Sequence, residues 1–152
     1  MISTGFFING IDLHNVLNPF FDMNNTYIDD DLYQYYDAYV FQMGSCHLFA
    51  HALRYNYNYS IFKRVRHEDE TIIHVYCKSR INDMSAFIDV RGITFDYLEF
   101  FRGYQTGTER PYRVSLENDL QENYARLGYS FALGLIENYD YYDVNLLKNR
   151  NE

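Results

Sequence analysis

The chain has 152 residues, of which 47% are apolar and 22% charged, the composition of an ordinary globular domain. Its 13 lysines and arginines against 21 aspartates and glutamates give a net charge of -8, which argues against a surface that binds nucleic-acid phosphates. We expect a single domain over 1–152 that does not enter a membrane, because no apolar run approaches the roughly 18 residues needed to span one.

Residues 1–40 show no regular hydrophobic period, and we predict a loop-rich cover there. Its apolar start at 6–11 allows a short strand, and the segment 30–37 allows a short helix. The chain as a whole is rich in tyrosine, with 17 Tyr and 12 Phe but no Trp. A tyrosine combines a large buried ring with a hydroxyl that needs a partner, which favours a dense core and a hydrogen-bonding surface.

From residue 44 the pattern becomes regular. The run GSCHLFAHALRY predicts a helix of about ten residues that begins at Ser45 behind a small-residue turn. Three extended segments follow at 59–65, 71–77 and 85–90, separated by charged or turn-forming residues, and they predict an antiparallel meander. The apolar residues at helical spacing in the first element are Leu48, Phe49, Ala52 and Leu53.

The remainder of the chain is predicted to be mainly helical. Gly92 ends the third strand, Thr94 caps a short helix over 95–101, and Gly103 ends that helix. A further helix begins after Ser115. Together these elements predict an α+β domain: a loop-rich N-terminal segment and a central helix packed on a small antiparallel sheet, followed by C-terminal helices. The last helix carries Leu116, Leu120, Tyr124 and Leu127 and is interrupted by Gly128.

Three residues stand out by their positions on these elements: Cys46 in the first turn of a helix, His74 within a strand, and Asp89 near the end of the next. The positive end of a helix dipole and a neighbouring imidazolium both lower a thiol pKa, which favours the nucleophilic thiolate. If the two strands pair as a hairpin, Asp89 lies opposite or diagonal to His74 on one sheet face. A carboxylate there holds the imidazole in the tautomer that relays a proton.

The run GSCHLFAHAL, followed by IIHVYC and FIDVRGI, resembles papain-like cysteine enzymes of the transglutaminase-like branch over about residues 42–93. In that family a cysteine begins a central helix, and successive strands of an antiparallel sheet supply a histidine and then an aspartate. The resemblance implies that Cys46 is the nucleophile, His74 the general base and acid, and Asp89 the orienting carboxylate. It also implies that Gln42 donates to the oxyanion, for which the backbone N–H of Cys46 is the alternative.

The neighbours of these residues are candidates for lining a substrate cleft. Tyr76 and Arg91 share the strand face of the predicted base, and Arg91 either contacts substrate or pairs with an acidic neighbour. His47 stands where the family usually carries an aromatic residue beside the nucleophile. Although His47 and His51 are four residues apart, no third ligand is evident, and we predict no metal and no other cofactor. Cys77 faces the opposite side of its strand and is predicted to be a core residue.

These observations support two hypotheses of function. The first is a cytoplasmic thiol-dependent hydrolase or acyl-transferase that acts on a protein or peptide amide: a peptidase, an isopeptidase, a glutamine deamidase or a transglutaminase. The second is an acidic, tyrosine-rich inhibitor or anti-defence protein of phage or bacterial origin, or a pseudoenzyme, that binds and blocks a host protein. The second hypothesis depends on acidic clusters such as 29–31 and the pair Asp140 and Asp143.

Overall fold

The computed structural model describes residues 41, 44–81, 83–122, 125–138 and 141. The predicted N-terminal cover, Gln42 and the acidic residues at 29–31, 140 and 143 lie outside these ranges. Within them, no helix is both long and apolar enough to cross a membrane. The elements in chain order are α1 (Cys46–Tyr57), β1 (Ser60–Val65), β2 (Ile72–Ile81), β3 (Met84–Asp89), β4 (Gly92–Thr94), α2 (Tyr97–Phe100), β5 (Thr108–Pro111), α3 (Leu116–Asp119) and α4 (Ala125–Asn138).

The described part of the chain is an α+β fold whose five strands form one antiparallel sheet in the order β4-β3-β2-β1-β5. The predicted α+β class and the meander of β1, β2 and β3 are therefore confirmed. Two strands were not predicted. Gly92, expected to end a strand, begins β4 with a φ of 125°, a backbone angle that favours glycine.

Helix α1 packs on one face of this sheet and against α4. The helix begins at Cys46, one residue after the predicted start, with Ser45 as its N-cap residue, and Asn58 ends it in the left-handed conformation with a φ of 60°. Cys77 lies fully buried under the helix, where its thiol donates to the Ala50 carbonyl at 3.4 Å, so its prediction as a core residue is confirmed. The buried apolar residues that α1 contributes are Leu48, Phe49, Ala50, Ala52 and Leu53.

The opposite face of the sheet is covered by a second cluster, which we call the aromatic layer. Helix α2 and the loop 101–107 carry half of its residues over the strands. Both faces of the central strands are therefore buried, and a polar side chain on either face needs a partner within the protein. The aromatic layer consists of Tyr76, Phe87, Phe100 and Phe101, with Phe62 and Tyr104 packed against them.

The helices after the sheet differ from their predictions. Thr94, predicted to cap α2, instead pairs with Phe87 as part of β4. The N-cap residue of α2 is Asp96, whose carboxylate accepts from the Glu99 N–H at 3.1 Å. The helix predicted after Ser115 is two helices, α3 and α4. Gly128 lies inside α4 and does not interrupt it, while Tyr124 falls outside the described residues.

Candidate active site

Cys46 is the first residue of α1, at the point where the helix begins above β2. Its side chain is 6% exposed, and the Val75 backbone N–H donates to its sulfur at 3.3 Å. The unpaired amides of a helix start carry partial positive charge, so both the helix and the strand present positive groups to the sulfur. This environment favours a thiolate.

His74 and Asp89 meet on the sheet face that carries the aromatic layer. Cys77 of β2 pairs with Ile88 of β3. Continuing this register by one pair places Asp89 opposite Tyr76, and therefore diagonal to His74. Nε2 of the imidazole lies 2.9 Å from Oδ2 of the carboxylate, and both side chains are buried. Two strands thus bring together the histidine and aspartate that the sequence separates by 15 positions.

Arg91 holds the carboxylate of Asp89 in place. Its backbone N–H donates to Oδ1 at 2.9 Å, its Nε lies 3.1 Å from both carboxylate oxygens, and its Nη2 also donates to the Phe100 carbonyl at 3.0 Å. Burial alone would raise the pKa of Asp89, but the charge of Arg91 and the hydrogen bond from His74 hold it well below its usual range. Of the two alternatives for Arg91, the structure shows the ion pair.

The Cys46 thiol and the His74 imidazole influence each other's pKa near the start of β2, the central strand of the sheet. Burial raises the pKa of Cys46, but the neighbouring His47 and His74 outweigh it and lower the pKa to about 6. Burial lowers the pKa of His74, but Asp89 and the Cys46 sulfur outweigh it and raise the pKa to about 9. Since Nε2 is bonded to Asp89, Nδ1 is the nitrogen that remains for the sulfur; no described group meets it with standard hydrogen-bond geometry. At neutral pH the favoured state is a thiolate beside an imidazolium.

Aromatic rings fix the imidazole from the side of the aromatic layer. Tyr104 stacks on His74 with ring centroids 4.6 Å apart and an interplanar angle of 21°, and Tyr76 stacks at 5.8 Å. Tyr76 is fully buried and its hydroxyl donates to Glu109, so it supports the histidine and does not line an open cleft. Tyr104 was not predicted, and its only signal in the sequence is its place in a loop between two glycines.

On the side away from the aromatic layer, Cys46 lines a groove with a volume of about 380 Å³, which we call the thiol groove. His47 lies half-buried beside it. Burial lowers the pKa of His47, but its hydrogen bond with the Cys46 thiol and the charge of Asp119 raise it above its ordinary value. The predicted lining residue His47 thus lies beside the Cys46 thiol itself. The groove is lined by Gly44, Cys46, His47, Ile72, Ile73, Val75, Tyr112 and Asp119.

A second hydrogen-bonded group borders the thiol groove. Asp119, the last residue of α3, accepts from Nε2 of His51 at 2.8 Å and from the Tyr112 hydroxyl at 2.7 Å. Sequence reasoning missed both Asp119 and Tyr112, because Asp119 is 68 positions from His51 and no local pattern connects them. Among the described residues, no cluster of three or more metal-binding side chains is spaced to hold a metal ion.

Comparisons with known proteins give no further guide to this site. No protein-family model, no curated protein and no solved structure matches the chain. The resemblance to papain-like enzymes therefore stays a prediction from the sequence.

Proposed function

We propose that this protein is a thiol-dependent hydrolase or acyl-transferase that acts on an amide of a protein or peptide. The observation that carries the proposal is the placement of the Cys46 sulfur against β2, where it accepts from the N–H of Val75 next to His74, together with the bond from the His74 imidazole to the Asp89 carboxylate. These are the roles of a nucleophile, a proton relay and an orienting carboxylate in a papain-like arrangement. The groove that opens at the sulfur gives an amide access to it.

The reaction follows from the protonation states of the pair. The Cys46 thiolate attacks the amide carbonyl carbon, and the carbonyl oxygen takes the negative charge beside the first turn of α1. The His74 imidazolium then gives its Nδ1 proton to the leaving nitrogen as the carbon–nitrogen bond breaks, which leaves a thioester and neutral His74. Water or an amine next attacks the thioester while His74 accepts its proton, and the thiolate is released as the acid or a new amide forms.

Alkylation by iodoacetamide tests the nucleophile, with the second cysteine as an internal control. We expect Cys46 to react with half-maximal rate near the pH of its lowered pKa, about 6, as read by mass spectrometry of each cysteine. Cys77 is fully buried, and burial raises its pKa, so it should stay unreacted under the same conditions. His74→Gln should move the half-maximal rate of Cys46 toward the free-thiol value of about 8.5.

The opposite result has a definite meaning. If Cys46 reacts only above about pH 8.5, as an ordinary thiol does, the contacts are structural and the proposal is wrong. Cys46→Ala that folds but retains turnover of an amide substrate would also overturn it. An inhibitor or anti-defence protein that blocks a partner would then be the leading hypothesis, and its binding would not require Cys46.

A further inference from the structure

A second groove lies along α1 beyond the thiol groove, and Tyr112 borders both. We call it the arginine groove, because Arg54 of α1 and Arg113 of the segment after β5 both line it. The same two arginines line a third depression on the far side of Tyr112. The lining residues of the arginine groove are His51, Arg54, Tyr55, Tyr112, Arg113, Val114, Ser115 and Leu116.

The two arginines are exposed and uncompensated. Among the residues that the structure describes, neither guanidinium forms an ion pair or a side-chain hydrogen bond. By contrast, Arg66, Arg102 and Arg110 each pair with a carboxylate. These two unpaired cations give the groove a local positive charge that attracts an anion, in a chain whose net charge of -8 otherwise repels one.

The apolar residues of the groove narrow the kind of anion. Tyr55 is 75% exposed and Val114 is 42% exposed, and Ile72 in the adjoining thiol groove is 45% exposed. Exposed apolar side chains grouped beside cations suit a peptide, which presents apolar and charged side chains together, better than a small inorganic ion. Half of the large apolar residues exposed in the described part of the chain border one of these two grooves.

Helix geometry sets the distance between the two grooves. Helical spacing places His47, His51 and Arg54 along one side of α1, and the C-cap residue Asn58 continues this spacing. Eight residues separate Cys46 from Arg54, which at a rise of 1.5 Å per residue is roughly 12 Å along the helix. An extended peptide advances about 3.3 Å per residue, so three to four residues span this distance.

We propose that the substrate is an extended peptide with an acidic side chain three to four residues from the amide that Cys46 attacks, and that Arg54 and Arg113 bind this carboxylate. A guanidinium presents paired N–H groups that match the two oxygens of a carboxylate, which makes arginine suited to this role. The inference rests on the proposed function, since it takes the thiol groove as the place of reaction.

Reactive peptides test it without knowledge of the natural substrate. Two probes are the C-terminal amides of Gly-Gly-Asp-Asp and Gly-Gly-Asn-Asn, each with a thiol-reactive chloroacetyl group at its N-terminus. Two further probes have the reversed sequences, with the chloroacetyl group on the side chain of an added C-terminal lysine, so that the peptide can bind in the opposite orientation. In one orientation we expect Cys46 of the native chain to be labelled about fivefold faster by the acidic peptide, a preference that shrinks in high salt. The double variant R54Q and R113Q should lower this ratio to about one, whereas R102Q, on the far side of the sheet, should leave it unchanged.

Iodoacetamide on the same variants separates the two proposals. If it labels Cys46 rapidly while acidic and neutral peptides react at equal rates in both orientations, the arginine groove is not a substrate site and the proposed function stands. If neither reagent labels Cys46 at neutral pH, the proposed function fails. In that case we titrate the native chain with the acetyl-capped acidic peptide and follow the arginine Nε–Hε signals by NMR. If the signals of Arg54 and Arg113 do not shift, the arginine groove does not bind an acidic peptide and the inference is wrong.

Discussion

At the scale of single residues, Asp89 acts on the Cys46 thiol through the imidazole of His74. Asp89→Asn removes the charge that favours protonated His74, so the imidazolium that stabilises the Cys46 thiolate is weakened. We expect the pH of half-maximal alkylation of Cys46 to rise from about 6 toward the free-thiol value of about 8.5. Because Asp89 is a positioning residue, this shift in the pH profile distinguishes its role from one in folding alone.

The control for this variant is Asp83→Asn, which makes the same charge change at an exposed turn. Asp83 has a φ of 65°, a left-handed conformation that asparagine also accepts. This control should leave the pH profile of Cys46 unaltered. An Asp89→Asn protein with a native near-UV spectrum and an unmoved midpoint would contradict the relay.

The same residues show how far sequence reasoning reaches at this scale. Cys46, His74 and Asp89 were identified because each sits at a place where its element has a recognisable pattern: a helix start or an alternating strand. Asp119 and Tyr112 have no such pattern around them. Asp119 reaches the thiol groove through the packing of α3 against α1, and Tyr112 reaches it from the position after β5, where its N–H donates to the Ile61 carbonyl of β1. No local spacing encodes either long-range contact.

At the scale of elements, the join between the loop 101–107 and β5 depends on Gly107. A Cβ at this position would collide with the Val65 carbonyl oxygen, in the strand that pairs with β5. We expect Gly107→Ala to lower the free energy of unfolding by about 1–3 kcal/mol, the usual cost of forcing atoms into a packed site. Urea denaturation followed by circular dichroism measures the change.

Gly44→Ala is the matched control for this substitution. A Cβ at Gly44 meets nothing within 4 Å, so its effect on stability should be within about 0.5 kcal/mol. Equal losses in the two variants would show that the close approach of Gly107 to β1 carries no energetic cost of its own.

The elements that were predicted and those that were missed differ in their length and burial. Helix α1 and strands β1 to β3 have half or more of their described side chains at least partly buried, so a hydrophobic period is visible. Strand β5 has four residues, of which three are exposed, and β4 has only three residues, all buried. Neither shows the alternation by which a strand is recognised, since both are specified by pairing with a neighbour.

At the scale of the whole molecule, the Cys46–His74 pair shapes how stability depends on pH. Folding lowers the pKa of the thiol from 9.0 to about 6 and raises that of the imidazole from 6.5 to about 9. The lowered pKa contributes stability that is lost as the pH falls, and the raised pKa contributes stability that is lost as the pH rises. Between the two unfolded values, 6.5 and 9.0, these slopes cancel, because folding moves a proton from one group to the other.

Cys46→Ala removes the contribution of the thiol to the pH dependence of stability and leaves that of His74. Asp89 still favours protonated His74, although the contribution of the Cys46 sulfur is lost, so the free energy of unfolding of the variant relative to the native chain should fall as the pH rises above about 6.5. The slope is at most about 1.4 kcal/mol per pH unit, the value for one proton, and the fall ends at the pKa of His74 in the variant. Urea unfolding of both proteins across this range measures it, and a difference that does not change with pH would contradict a thiolate–imidazolium pair.

The stacking of Tyr104 on His74 also sets how long the arrangement persists. The imidazole is 0% exposed, bonded at one edge to Asp89 and covered on its flat face by a ring from the loop 101–107. A half-turn about its Cβ–Cγ bond, which would put ring carbons where the two nitrogens lie, needs space that the ring of Tyr104 does not leave. We therefore expect the ring to turn over only when Tyr104 and its loop move away, so the His74–Asp89 arrangement persists for as long as that loop stays closed.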